Sequence, residues 1–161
     1  MKYLILFFIL CSTLFADNQL IIDSNFFEAD DQKGVAIFTG NVKVTKIEDK
    51  LNCDKLVVNM IKDNQNQQTP EKYTATGNVD FNVYSNDKVY YGKGDTVIYE
   101  PFKNRYTIFG NGYLEEKTDG RILYGEEIYL DEITAQAKVV GKESKPVRFM
   151  MKLQDTNKEK Q

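Results

Sequence analysis

The chain contains no histidine, and that absence removes the commonest general base, the commonest metal ligand and every Ser-His-Asp or Cys-His nucleophilic arrangement. Enzymatic chemistry loses most of its usual supports. Cysteine is nearly as scarce. Of Cys11 and Cys53, the first lies in an apolar leader, so the chain beyond that leader holds a single thiol and can form no internal disulfide. Charge of one sign is never concentrated: 21 Lys and Arg are scattered among 24 Asp and Glu, for a formal net charge of -3. Without a continuous cationic stripe, no nucleic-acid partner is expected. No apolar run reaches the roughly 18–20 residues that cross a bilayer as a helix. These absences predict a chain with no catalytic residues, no metal site and no cofactor.

The opening residues have a layout of their own. Lys2, the run from Tyr3 to Leu10, and the close Ser12-Thr13-Leu14-Phe15-Ala16 before Asp17-Asn18-Gln19 form the pattern of a cleavable secretory signal. Residues 1–16 are therefore expected to be removed. Leu10 is bulky where a lipoprotein signal carries a small residue, so acylation of Cys11 is not expected. The remaining 145 residues suffice for one domain with a real core, placed at 17–153. The tail 154–161 carries no apolar residue and is expected to be disordered.

What the chain does have is a repeat. A Gly-Asn step recurs at Gly40-Asn41, Gly77-Asn78 and Gly110-Asn111, each amid apolar alternation, with a fainter fourth glycine at Gly141. These glycines are 37, 33 and 31 residues apart, about the length of a strand, turn, strand, turn unit, which marks a repeat fold. Between them lie second strands opening on a small residue and an acid: Cys53-Asp54, Gly94-Asp95 and Gly125-Glu126. From Leu20 to Leu153 apolar positions follow period two and are rich in Val, Ile, Tyr and Phe, the signature of strands. Turn signals fall at 30–34, 46–50, 85–88, 101–104 and 118–120, and the polar stretch 62–72 reads as a longer exposed loop. The expectation is an all-β antiparallel meander.

Strand parity gathers the apolar side chains on one face: Phe38, Val42 and Val44; Leu56 and Val58; Tyr73, Ala75, Val79, Phe81 and Val83; Val97 and Tyr99; Tyr106, Ile108 and Leu114; Ile128 and Leu130. A sheet with one greasy side must bury it by folding over into a sandwich or roll. Periodicity fits a closed core and an open roll that accepts a lipid equally well. Asp54, Asp95 and Glu126 read as solvent-facing acids that recur because the unit recurs, rather than as an acid-base cluster. Cys53 takes the place of Gly94 and Gly125 and reads as a small apolar filler.

The run Gly34 to Thr45, followed by Leu51 to Val58, resembles the OstA-like domain of the LptA family of periplasmic lipopolysaccharide transport proteins. The likeness continues through Thr76-Gly77-Asn78-Val79, Tyr99-Glu100, Gly110 to Leu114 and Gly125 to Ile128, and fades around Leu153-Gln154-Asp155. It implies a β-jellyroll open at both ends, working in the periplasm, whose apolar interior holds the acyl chains of lipopolysaccharide. The implied lipid-binding positions are Phe38, Val42, Val44, Leu56, Val58, Val79, Phe81, Val83, Val97, Tyr99, Ile108, Leu114, Ile128 and Leu130. It also implies end-to-end self-association between inner-membrane LptC-like and outer-membrane LptD-like components. The segments Ile21 to Glu28 and Pro146 to Leu153 are the expected terminal edges, and Lys43, Lys46 and Lys50 are candidates for lipid phosphates. The rival readings are a membrane-anchored LptC-like component, a structural or adhesive β-repeat that binds no lipid, and an enzyme acting on envelope lipid.

Overall fold

The structure, a computed structural model, describes residues 19–85, 87–134 and 136–153. The expected leader and tail lie outside the described residues. Ten strands follow one another: β1 (Leu20–Asp23), β2 (Phe26–Asp30), β3 (Val35–Lys46), β4 (Asp49–Lys62), β5 (Gln68–Ser85), β6 (Lys88–Glu100), β7 (Arg105–Glu116), β8 (Arg121–Asp131), β9 (Gln136–Val140) and β10 (Arg148–Met150). A 3-10 turn at Pro101–Lys103 joins β6 to β7. All pairings are antiparallel. β3 through β8 lie in sequence order, β1 and β2 share the free side of β3, and β9 and β10 share the far side of β8.

The Gly-Asn steps do not separate strands; they bend them. In each of β3, β5 and β7 both residues of the step have positive φ: 83° and 47° at Gly40-Asn41, 78° and 47° at Gly77-Asn78, 73° and 51° at Gly110-Asn111. Two left-handed residues in succession break the pleat, and glycine followed by asparagine is the pair that tolerates this at least cost. Each step faces a single residue, Asp54, Asp95 or Glu126, in the following strand, and the ladder slips there between β3 and β4, β5 and β6, and β7 and β8. These bulges align into a crease across the sheet. Long hairpins are thereby folded into two facing layers. One contains β2, β9 and the strand halves bounded by 35–39, 55–62, 68–76, 96–100, 105–109 and 127–131. The other contains β1, β10 and the halves 42–46, 49–53, 79–85, 88–94, 112–116 and 121–125.

The recurrent acids are therefore not at strand starts, as the repeat suggested, but at this crease. Asn78 Nδ2 donates to Asp54 Oδ2 at 2.8 Å, and Asn111 Nδ2 donates to Asp95 Oδ2 at 3.1 Å. At the first step Asn25 N–H donates to the Gly40 carbonyl at 2.9 Å. At the last, Glu126 pairs with Lys142, which follows Gly141 where the other units carry asparagine. The polar stretch 62–72 is also less of a loop than expected. β4 and β5 pair down to Lys62 opposite Gln68, and a slip between Asn59 and Met60 accommodates Pro70, which has no N–H to offer.

Burial is deepest beside the crease. Ile108 and Ile128 are 0% exposed, and Val42, Val79, Leu56 and Ala75 nearly so. Cys53 is buried among them, and desolvation, with the Asp54 charge adding to it, pushes its thiol up to about 11. It is an inert small filler, as its place in the repeat suggested.

Candidate binding trough

Away from the crease the layers diverge and leave two chambers between them. The larger, about 580 Å³, is walled by Phe81, Val83, Tyr90, Leu114 and Leu123 from one layer and Tyr106, Leu130, Ala137 and Val139 from the other, with Phe149 of β10 at its end. The smaller, about 300 Å³, lies toward β1 and is walled by Leu20, Val44, Leu51, Leu56, Tyr73, Val97 and Tyr99. Phe81, Val83 and Tyr106 line both, so the chambers meet at a waist. Phe81 is held flat over Gly92, where an added Cβ would strike its ring at Cε2 from 2.9 Å and at nearer atoms too. Opposite it, Tyr106 stacks on Tyr99 with centroids 4.4 Å apart, and Tyr99 stacks on Tyr73 at 6.1 Å. Burial raises the pKa of all three phenols, with the neighbouring ring adding to it for Tyr73 and Tyr106. They stay protonated and present a neutral, largely apolar wall.

The fourteen candidate positions divide between these surroundings. Val44, Leu56, Phe81, Val83, Val97, Tyr99, Leu114 and Leu130 line the chambers. Val42, Val58, Val79, Ile108 and Ile128 are inward too, but packed in the core, and line neither chamber. Phe38 packs half-buried against Phe27, ring centroids 4.9 Å apart. Of the three candidate lysines, Lys46 and Lys50 border the smaller chamber and Lys43 does not. Among the described residues no group of three His, Cys, Asp or Glu side chains could hold a metal, and no helix is long and apolar enough to cross a membrane.

Leu51, Tyr90 and Leu123 line the chambers although parity did not gather them. In β4, β6 and β8 a single residue spans the two-residue step opposite it, so inward positions run 51, 53 and then 56, 58; 90, 92, 94 and then 97, 99; 123, 125 and then 128, 130. A bulge flips the face of everything beyond it. The register of the second half of each strand thus hid the first. Glu116 and Arg121, also in the wall of the larger chamber, carried no apolar signal to find.

Fold and cavity together define a two-layer β-jellyroll with an open apolar trough. Residues 21–136 match the model of the family described as LptA/(LptD N-terminal domain) LPS transport protein. The chain is 32% identical over 143 residues to the lipopolysaccharide export system protein LptA of Escherichia coli K12 and to that of Shigella flexneri, covering 88% of this chain and 76% of each relative. Its fold matches the crystal structure of LptH, the LptA-homologous periplasmic component of the lipopolysaccharide transport device of Pseudomonas aeruginosa, with a TM-score of 0.70 at 19% identity over 84% of this chain and 96% of that one. The chain belongs to the LptA/LptD N-terminal domain family of lipopolysaccharide transport proteins.

Proposed function

We propose that this chain is a periplasmic lipopolysaccharide transport protein that carries acyl chains in its trough by burial alone, without catalysis. The observation that supports this reading most is the pair of apolar chambers meeting at Phe81, Val83 and Tyr106. Their volumes fall in the range of small-ligand sites. Exposing a dozen methylenes to water costs on the order of 10 kcal/mol, so a multi-chain lipid needs continuous shielding to cross an aqueous gap. Hydrophobic contact is non-directional, and a chain can slide along such walls without breaking specific bonds.

The two ends of the sheet support coupling to like domains. Phe26 and Phe27 on β2 and Phe149 and Met150 on β10 are exposed, and among the described residues no strand pairs with the outer backbone of these short strands, which suits them to strand addition. That geometry supports self-association end to end and docking to LptC-like and LptD-like components. Crosslinks placed at 21–28 and 146–153 are expected to join different molecules; exclusively intramolecular products would exclude this coupling.

The decisive test is photocrosslinking in the periplasm, with the probe at Val44 or Phe81 inside the trough and at Lys43 or Asp80 on the outer face. Lipopolysaccharide adducts at the inner pair alone are the expected result. Adducts at neither pair, in a folded and exported protein, would favour a structural repeat that carries no lipid.

A further inference from the structure

A charged cluster stands at the edge of the larger chamber, with Glu116 and Arg121 in its wall and Lys88 and Asp119 beside them. Glu116 ends β7 opposite Tyr90 on one side and Arg121 on the other, and Lys88 opens β6. Glu116 is 5% exposed. Its Oε2 accepts from Arg121 Nη2 at 2.6 Å, Arg121 Nε at 3.0 Å and Lys88 Nζ at 3.4 Å, while its Oε1 accepts from the Asp119 N–H at 3.0 Å. Both cations converge a second time on one atom, Asp119 Oδ2, with Lys88 Nζ at 3.0 Å and Arg121 Nη2 at 2.8 Å.

The two carboxylates are not equivalent. Glu116 is locked into the wall and orients both cations. Asp119 sits on the β7–β8 turn with its side chain 53% exposed, where ion pairs contribute little and exchange readily. We propose that Lys88 and Arg121 form an anion site for a phosphate ester carried by a lipid whose chain occupies the larger chamber, and that Asp119 is a tethered occupant which the phosphate displaces. The inference rests on the trough being a lipid site. A phosphate offers up to two negative charges and three acceptor oxygens to the guanidinium fork, against one charge on the aspartate. Phe81, Leu114, Leu123 and Phe149 lie in the same chamber to receive the chain. On the opposite lip Asp131 is already paired with Arg105 and Glu132 adds a negative charge, so the lip offers an anion no comparable pair of cations.

Calorimetric titration of the purified chain with dodecyl phosphate, neutral dodecyl maltoside and inorganic phosphate tests this. Asp119→Asn is expected to tighten dodecyl phosphate about fivefold and leave dodecyl maltoside unchanged, while Lys88→Gln weakens dodecyl phosphate by a similar factor. Arg121→Gln strips the buried Glu116 of its closest partner and can unfold the site, which is why the first two variants carry the test. Inorganic phosphate should bind at least tenfold more weakly than dodecyl phosphate; equal affinity would assign the site to free phosphate and overturn the lipid source. A folded Asp119→Asn protein that binds all three probes like the parent would overturn the anion site while leaving the trough reading intact. Failure of the parent chain to bind either dodecyl ligand would overturn the trough reading and the anion site with it.

Discussion

Adding one methyl group at Gly110 tests the crease directly. The residue has φ +73°, and an added Cβ would lie 2.8 Å from Asp95 Cγ and 2.9 Å from Asp95 Cβ, closer still to the carboxylate oxygen. Gly110→Ala therefore meets two costs. A left-handed alanine costs about 1–2 kcal/mol. Displacing Asp95 also breaks its bond from Asn111 Nδ2, worth about 1 kcal/mol. Together these predict a loss of ~2–3 kcal/mol, measurable by urea unfolding followed through tyrosine fluorescence. In an Asp95→Gly background the obstacle is gone and only the backbone strain should remain, so the cost of Gly110→Ala should fall by about 1 kcal/mol. A loss below about 0.5 kcal/mol, or an equal loss in both backgrounds, would mean that the crease is not held as described.

Three further outcomes are expected. Burial alone would raise the Glu116 pKa, yet the Asp119 N–H, Arg121 and Lys88 hold it down to about 2 against an ordinary 4.5; a depressed carboxylate stabilises the fold fully above the unfolded value and loses that contribution as pH falls through the folded one. Urea unfolding should therefore show parent and Glu116→Gln proteins far apart at pH 7 and converging between pH 4.5 and 2, and a constant difference across that window would refute it. Ile128→Ala, in the packed core outside both chambers, should cost about 2–5 kcal/mol yet leave dodecyl maltoside affinity intact, whereas Val83→Ala should weaken it; equal effects on affinity would contradict the chamber assignment. Ile47 is a β-branched residue at φ +57° in an exposed turn, so Ile47→Gly should stabilise the fold by about 0.5–1 kcal/mol, strain relief exceeding the flexibility added to the unfolded chain, and a destabilised variant in the same urea assay would refute it.

Strand content, turn positions and the greasy face were legible because each rests on local chemistry: β-branched and aromatic alternation, glycine and asparagine where φ turns positive, polar residues at hairpin ends. The crease was half legible. Its Gly-Asn steps stood out as a repeat, but a repeat at about the length of one hairpin predicts turns between strands as readily as bends within them. Only the pairing of Asp54 with Asn78 and of Asp95 with Asn111 reveals the second meaning, and that pairing joins residues 24 and 16 positions apart. Parity then failed beyond each bulge for the same reason. It located Leu56, Val97 and Ile128 but not Leu51, Tyr90 and Leu123, because the mismatch of one residue against two at the crease reverses the parity of β4, β6 and β8 across it.

The division of the inward face into core and chamber was not legible at all, since Ile108 and Leu114 share a strand, a parity and a chemistry. What separates them is distance from the crease. Ile108 lies two residues from the Gly110-Asn111 bend, where the layers are pinned together, and is 0% exposed; Leu114 lies farther out, where they have diverged, and lines the larger chamber. Two residues beyond Leu114, on the same face, stands Glu116. An acid in register with a greasy row is a feature of that face that packing does not require. Burying it costs several kcal/mol unless it is paired, and Lys88 and Arg121 supply the pairing. The chain thus retains at the rim of its apolar trough the one arrangement that a closed hydrophobic core would do without, which is why the rim, rather than the greasy wall, is the place to look for headgroup selectivity.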